Sequence, residues 1–364
     1  MQRLKTFVAG CLLAGLCLSL GLACDHKSDS QASANASAKL TGAGSTFARD
    51  LYMKWISEYT KMHPNIEINY QSIGSGAGIK QLIANTVDFA GSDAVMNADQ
   101  NKEAAGEVLH VPVALGAVVL VYNVPGVDKT LTFSGPIVAD MFLGKITKWN
   151  DPKLVELNPD AKLPDLAVST VHRSDGSGTT SIFTDYLTKA SLSWAGGPGK
   201  GSSVKWPEAG SVGAKGNEGV SGMVKQTAGT IGYVELIYAT NNKIAYGDMT
   251  NAAGKVIHAT MASVSAAVAG FKEIPADLKM SITNAPGDAS YPISGLTWML
   301  IYKNQKDAAK GRATVDFVTW GIHDGQAFLE SLSYAPLPKE FIPKCEALIA
   351  QITAPDGKAL IASK

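Results

Sequence analysis

Cysteine is scarce and unevenly placed: of four in 364 residues, Cys11, Cys17 and Cys24 fall within the first 24 positions. Only Cys345 remains beyond them, so no internal disulfide can form, and no Cys/His spacing suits zinc. Cys345 reads as a partly buried structural thiol. The six histidines are scattered, no His-Glu-x-x-His pair occurs, and no serine has the flanking glycines of a nucleophile elbow. Gly199-Lys200 fails as a nucleotide-binding loop, because Trp194 stands at its first glycine and Gly201 at its Ser/Thr. An excess of positive charge is also absent, with 32 basic residues against 32 acidic ones. Without Arg3 and Lys5 the balance is 30 to 32, which leaves no basic stripe for nucleic acid. No internal repeat of fixed period occurs.

The N-terminus is richer in signal. Arg3 and Lys5 precede an apolar run from Phe7 through Ala23, the layout of an export signal over residues 1–24. A Ser/Ala/Asn/Gln-rich stretch follows, too poor in apolar side chains to pack, and residues 25–38 read as a flexible tether. Gly21-Leu22-Ala23-Cys24 before such a tether resembles a bacterial lipoprotein, in which the cysteine takes lipid and becomes the new N-terminus. That motif favours leucine where this chain has Gly21, so lipidation of Cys24 and simple signal cleavage both stand. Either route places the mature domain in the periplasm or at the cell surface, and lipid on Cys24 would anchor it to the membrane.

At 46% hydrophobic residues the chain can bury a large core, yet its length exceeds that at which single cores stop growing, so two domains are expected. Leu51, Tyr52, Trp55, Ile56 and Tyr59 recur at helical spacing until His63-Pro64-Asn65. Ile66, Ile68 and Tyr70 alternate as a strand. The glycine loop Gly74 to Gly78 leads into a helix from Ile79 to Asn85 and a short strand from Val87 to Ala90, an order that predicts a parallel α/β sheet. Val111 to Val124 reads as a buried strand carrying the chain into the second domain. Met141 to Trp149 and the stretch after Pro152 read as short helices, Leu166 to His172 as a strand, and the apolar residues at 182, 183, 186 and 187 as a helix. Gly196 to Ser203 and Gly210 to Gly222 read as surface loops. A strand at Gly295 to Tyr302 and helices over Ala313 to Trp320 and Glu340 to Ile349 close the chain.

Three loops share a character: Thr41 to Phe47, Gly74 to Gly78, and Asp175 to Thr180 interleave glycine with Ser or Thr where a helix begins. A helix start offers free N–H groups and partial positive charge, glycine lets the backbone approach a ligand, and the hydroxyls add donors. One such loop is a common capped turn; three together describe an oxyanion site. Arg173 adds a planar cation, with Asp175 placed either to hold it or to form an ordinary solvated pair. Gly91-Ser92-Asp93 delivers a carboxylate to the same side of the sheet. An ionised carboxylate only accepts hydrogen bonds, so Asp93 suits an anion that carries a proton, and fully ionised sulfate would be repelled.

As a set these segments resemble the periplasmic phosphate-binding proteins of bacterial ATP-driven phosphate importers, the PstS family. The resemblance rests on Leu40-Thr41-Gly42-Ala43-Gly44-Ser45-Thr46-Phe47, Ile73 to Gly78, Val87 to Asp93 and Arg173 to Thr179, in that order. Phe142 to Ile146 with Trp149, Val204-Lys205-Trp206-Pro207 and Gly229 to Glu235 extend it over nearly the whole chain from residue 39. It departs at Gly76, where some relatives have serine, and at Ala48, where proline often follows the phenylalanine. The resemblance implies an α/β fold, a two-lobed periplasmic binding protein of type II-like architecture with a hinged inter-domain cleft. Lobe I would comprise residues 39–117 plus 292–364 and lobe II residues 118–291. Phosphate contacts would come from Thr46, the N–H of Phe47, Ser75, Asp93, Arg173, Ser177, Gly178 and Thr179, with Asp175 orienting Arg173. The implied partners are inorganic phosphate and the importer's permease subunits. A monomer with no cofactor, metal or catalytic residue is expected.

Two rival readings remain open. A phosphatase would grip phosphate with the same residue types, though His172 is the one histidine beside the site and reads as structural. A binder of sulfate, molybdate or a phosphonate would differ at Asp93, because a site that hydrogen-bonds a ligand proton rejects the analogue lacking it by roughly 10⁴-fold.

Overall fold

The computed structural model describes residues 37–362. The expected signal, most of the tether and Cys24 lie outside them. The chain opens with β1 (Ala38–Gly44), α1 (Arg49–Met62), β2 (Ile66–Ser72), α2 (Ser75–Ile83), β3 (Phe89–Ser92), α3 (Ala98–Glu103) and β4 (Val108–Tyr122). It continues through β5 (Thr132–Phe133), α4 (Gly135–Phe142), α5 (Pro152–Leu157), β6 (Ser169–Arg173), α6 (Gly178–Ala190), α7 (Leu192–Ala195), β7 (Ser211–Ala214), α8 (Gly216–Gln226) and β8 (Thr230–Glu235). It ends with α9 (Leu236–Asn242), β9 (Asp248–Thr250), β10 (Val256–Ile257), α10 (Met261–Ala269), β11 (Ser294–Tyr302), α11 (Ala308–Ile322) and α12 (Ile342–Ile349), with two short 3₁₀ turns between the last two helices.

Eight strands join in the order β2-β1-β3-β11-β4-β8-β6-β7, and β10-β9-β5 form a small second sheet. β4 organises the larger one. From Val108 to Ala117 it pairs antiparallel with β11, and from Val118 to Tyr122 it pairs antiparallel with β8. One half-sheet therefore holds β2, β1, β3 and β11, the other β8, β6 and β7, and each is layered with helices into one of two α/β lobes. All fifteen residues of β4 are buried, as expected for a strand covered on both faces and read in sequence as one apolar run. Each Val or Leu so buried contributes about 2 kcal/mol.

Each lobe has its own aromatic cluster. Tyr52 stacks on Tyr70 at 4.4 Å, and Trp55 meets Phe317 edge-on at 6.3 Å. On the other side Phe183 stacks on Tyr233 at 4.2 Å and Phe142 meets Phe183 at 4.9 Å. α1 buries Leu51, Tyr52, Trp55 and Tyr59, the stripe its spacing predicts.

Several expectations need correction. β1 begins at Ala38, paired with Ile66, where the sequence suggests only tether and turn; its small residues Gly42, Ala43 and Gly44 hide a strand. The helix expected over 141–149 instead ends at Phe142, because Gly144 at φ +71 turns the chain. The segment 210–222 is no surface loop: it forms β7 and the start of α8, and it buries Ala214, Asn217 and Val220. Cys345 is fully rather than partly buried, with Sγ 3.9 Å from the Pro112 carbonyl oxygen, and burial pushes its thiol up to about 12. No helix among the described residues is long and apolar enough to cross a membrane.

Candidate functional site

β1, β2 and β3 run parallel, so the chain leaves all three at one edge, where open α/β sheets present their ligands. Gly44 O accepts the N–H of Ile73 at 3.0 Å and of Gly74 at 2.8 Å, stitching the first two loops together. β6, parallel to β7 and β8, delivers the third loop from the other lobe. Gly76 N–H then donates to Gly176 O at 2.9 Å, so the second and third loops touch across the cleft. The contact requires glycine at the turn: Gly74 has φ +91, and a Cβ there would lie 2.3 Å from Asp175 Oδ2.

The second and third loops run directly into helices. α2 begins at Ser75 rather than Ile79, and α6 begins at Gly178, capped by Ser177 Oγ accepting the Thr180 N–H at 3.0 Å. Gly76 and Gly78 of the second run thus lie in the first turn of a helix, with Gly74 just ahead of it. Among the described residues the N–H groups of Phe47, Ser75, Gly178 and Thr179 have no protein acceptor. These are the donors that a helix start leaves over, and they add to the buried hydroxyls of Thr46, Ser75, Ser177 and Thr179.

Asp93 lies just beyond β3 among these donors. Its Oδ1 accepts from Ser45 Oγ at 2.6 Å and Thr297 Oγ1 at 2.7 Å, whereas Oδ2 has only Ser75 Oγ at 3.3 Å. Burial raises the carboxyl to about 6, although the three hydroxyls and the charge of Arg173 pull it down. Asp93 therefore carries charge at neutral pH and keeps acceptor capacity on Oδ2.

Arg173 is held by a bidentate pair, Nε to Asp175 Oδ1 at 2.8 Å and Nη2 to Oδ2 at 2.6 Å. The guanidinium is 1% exposed, which replaces the solvated-pair alternative with a buried clamp. Burial would raise the Asp175 carboxyl, but the hydrogen bonds and charge of Arg173, with the Gly216 N–H, hold it below its ordinary value. Nη1 reaches Thr179 Oγ1 at 3.4 Å, and Tyr233 OH fixes the backbone by accepting Arg173 N–H at 3.1 Å.

The cleft beside these groups is lined from both lobes, by Ser75, Gly76 and Asp93 on one side and Ser181, Ile182 and Asp185 on the other. No group of three metal-capable side chains occurs among the described residues. His172 turns away from the loops, stacked on Trp206 at 4.8 Å and bonded to Ser211 Oγ at 2.8 Å.

Residues 29–324 match the model of the PBP superfamily domain. The phosphate-binding protein PstS of Xylella fastidiosa strain 9a5c is 42% identical over 344 residues, spanning 93% of each chain. The chain belongs to the PstS family. PstS of Pasteurella multocida is 42% identical over 88% of this chain and 93% of its own, and that of Methanocaldococcus jannaschii 37% identical over 86% and 88%. The phosphate-binding protein from Stenotrophomonas maltophilia superposes with a TM-score of 0.68 at 19% identity, over 90% of this chain and 99% of that one. A high-affinity periplasmic phosphate-binding protein bound with phosphate gives 0.69 at 21% identity, over 85% and 93%. At such identities the superpositions speak for the shared two-lobed fold.

Of the nine residues that the PstS resemblance implies for the site, Ser75 and Asp93 line this cleft, the backbone of Gly178 packs against both, and Arg173 with Asp175, Thr179 and Thr46 form a hydrogen-bonded chain through Asn217. The sequence reading missed four more. Ser45 and Thr297 hydrogen-bond Asp93, Tyr238 OH donates to Thr46 O at 2.7 Å, and Asn217 Nδ2 donates to Thr46 Oγ1 at 2.7 Å. Asn217 follows Gly216 at the head of an apolar stripe, Val220 and Val224, and that stripe was the available signal for a buried helix start.

Proposed function

We propose that the chain captures inorganic phosphate with high affinity outside the cytoplasmic membrane and hands it to the permease of an ATP-binding-cassette importer, without turning it over. The observation that carries this reading is Asp93 Oδ2, a buried acceptor whose one partner is Ser75 Oγ at 3.3 Å, set beside the donor-rich loops. A monoprotonated phosphate presents three acceptor oxygens and one hydroxyl, which matches that mixture; sulfate offers no proton for Asp93. Thr46, Phe47 N–H and Ser75 would bind from lobe I, and Arg173, Ser177, Gly178 and Thr179 from lobe II, with Asp175 holding the guanidinium.

The same reading puts lobe I at residues 39–117 plus 292–364 and lobe II at residues 118–291. The change of partner in β4 between Ala117 and Val118, and the start of β11 at Ser294, support those limits. A ligand gripped from both sides would draw the lobes together about this crossing. Lipid on Cys24 would keep the protein beside its permease. The similarity to proteins named for phosphate binding supports the ligand, and the turn of His172 away from the cleft supports binding over hydrolysis.

Calorimetry of the stripped mature domain tests the reading. Phosphate should bind and sulfate should not compete at a hundredfold excess. Equal binding of both, or release of phosphate from a monoester well above buffer, would sink it.

A further inference from the structure

Asn217 is completely buried where the start of α8 meets the loop after β1, and its amide orientation is settled by its own partners. Oδ1 accepts the N–H of Glu235 at 3.0 Å, so the NH₂ group must face the other way. There its two hydrogens serve two hydroxyl oxygens, Thr46 Oγ1 at 2.7 Å and Thr179 Oγ1 at 3.0 Å. Each hydroxyl receives a second donor as well. Asn217 N–H reaches Thr46 Oγ1 at 3.3 Å, and Arg173 Nη1 reaches Thr179 Oγ1 at 3.4 Å.

A hydroxyl has two lone pairs and one proton. With both lone pairs filled, Thr46 and Thr179 can act toward a third partner only as donors. We propose that Asn217 is a specificity-determining positioning residue: it fixes the hydroxyls of Thr46 and Thr179 as donors, so that the two ligand oxygens beside them must be unprotonated. The inference rests on the phosphate reading above and deepens it. Asn217 makes one side of the site demand bare oxygens, as Asp93 makes the other demand a proton, and together they orient a monoprotonated anion. Because Thr46 belongs to β1's loop and Asn217 to α8, this polarity is complete only when the lobes meet.

Asn217→Asp is the discriminating variant. It retains the acceptor for Glu235 N–H and turns the Thr-facing atom from donor to acceptor, so each threonine proton is drawn to the protein. Loss of two charge-assisted hydrogen bonds predicts a fall in phosphate affinity of at least about 100-fold. The same change in a Thr46→Val/Thr179→Val background separates polarity from the added charge, and there its cost should shrink to less than about 10-fold. Binding of Asn217→Asp within threefold of the parent, or an equal cost in both backgrounds, overturns the proposal. Should Asn217→Asp not fold by its melting curve, neutral Asn217→Ser carries the same cycle, and strict additivity overturns it. If the parent protein binds no phosphate, the functional reading fails instead, and the two failures are distinct.

Discussion

Gly178 and Asp93 come from different lobes, yet a Cβ placed on Gly178 would lie 2.4 Å from Asp93 Oδ2 and 2.5 Å from Ser75 Oγ. Glycine at the first position of α6 is therefore what lets the lobes meet at the carboxylate. Gly178→Ala should cost about 5- to 150-fold in phosphate affinity, the scale of an overpacked contact. Calorimetry reads the loss, and small-angle scattering should show a larger radius of gyration than the parent at saturating phosphate. Unchanged affinity would show that the contact does not limit closure.

Arg173 is useful for its shape as well as its charge. Arg173→Lys keeps the cation but loses the fork that Asp175 holds through two bonds. Phosphate affinity should fall about 10- to 100-fold, with Asp175→Asn giving a smaller loss because the guanidinium remains. A titration in which the lysine variant matches the parent would contradict the bidentate role.

The Asp93 carboxyl, raised to about 6, predicts a pH signature in selectivity. Above that value it is ionised and repels sulfate; below it, the protonated form can donate to a sulfate oxygen. Sulfate competition should therefore strengthen from pH 8 to pH 5, and Asp93→Asn should make it strong and flat across that range. Sulfate affinity that does not change with pH in the parent would remove Asp93 from the selectivity argument.

Glu235 ends β8 with Oε2 accepting the Ile237 N–H at 2.7 Å, while Oε1 is buried without a protein partner. Burial, then the charges of Asp50 and Asp93, push its carboxyl well above the ordinary range against the pull of the Ile237 N–H. A raised folded-state value means that the group's stabilising contribution is full below the unfolded value near about 4.3 and declines as pH rises toward the folded one. Glu235→Gln has no such decline, so its melting temperature relative to the parent should climb between pH 5 and pH 8. A difference independent of pH would show that Glu235 is ionised in the fold.

The parts legible in the sequence were those where one periodicity or one residue type dominates. The stripe of α1, the apolar run of β4 and the Ser/Thr-rich ends of β1, β3 and β6 each announce themselves locally. β1 did not, because Gly42 and Gly44 read as turn residues while Phe89 packs so close to Gly42 that no side chain fits there. The 210–222 segment failed similarly: its glycines suggested a loop, and only the tertiary contacts of Asn217 show why the backbone is buried. Ser45 and Thr297 were illegible as Asp93 partners for another reason. Thr297 lies 204 residues away in sequence, and nothing in a single chain marks such a pairing.

β11 also bears on how the molecule assembles. It lies between β3 and β4, which do not pair with each other, so each lacks its partner on that side until residues 294–302 arrive. All of β5 through α10 must be threaded out and returned before the first half-sheet can close. Such long-range pairing folds slowly and leaves strand edges exposed in the interval. A chain with this topology reaches its native state only when its last quarter is present, and a nascent chain halted before β11 would leave the facing edges of β3 and β4 unpaired, open to other strands.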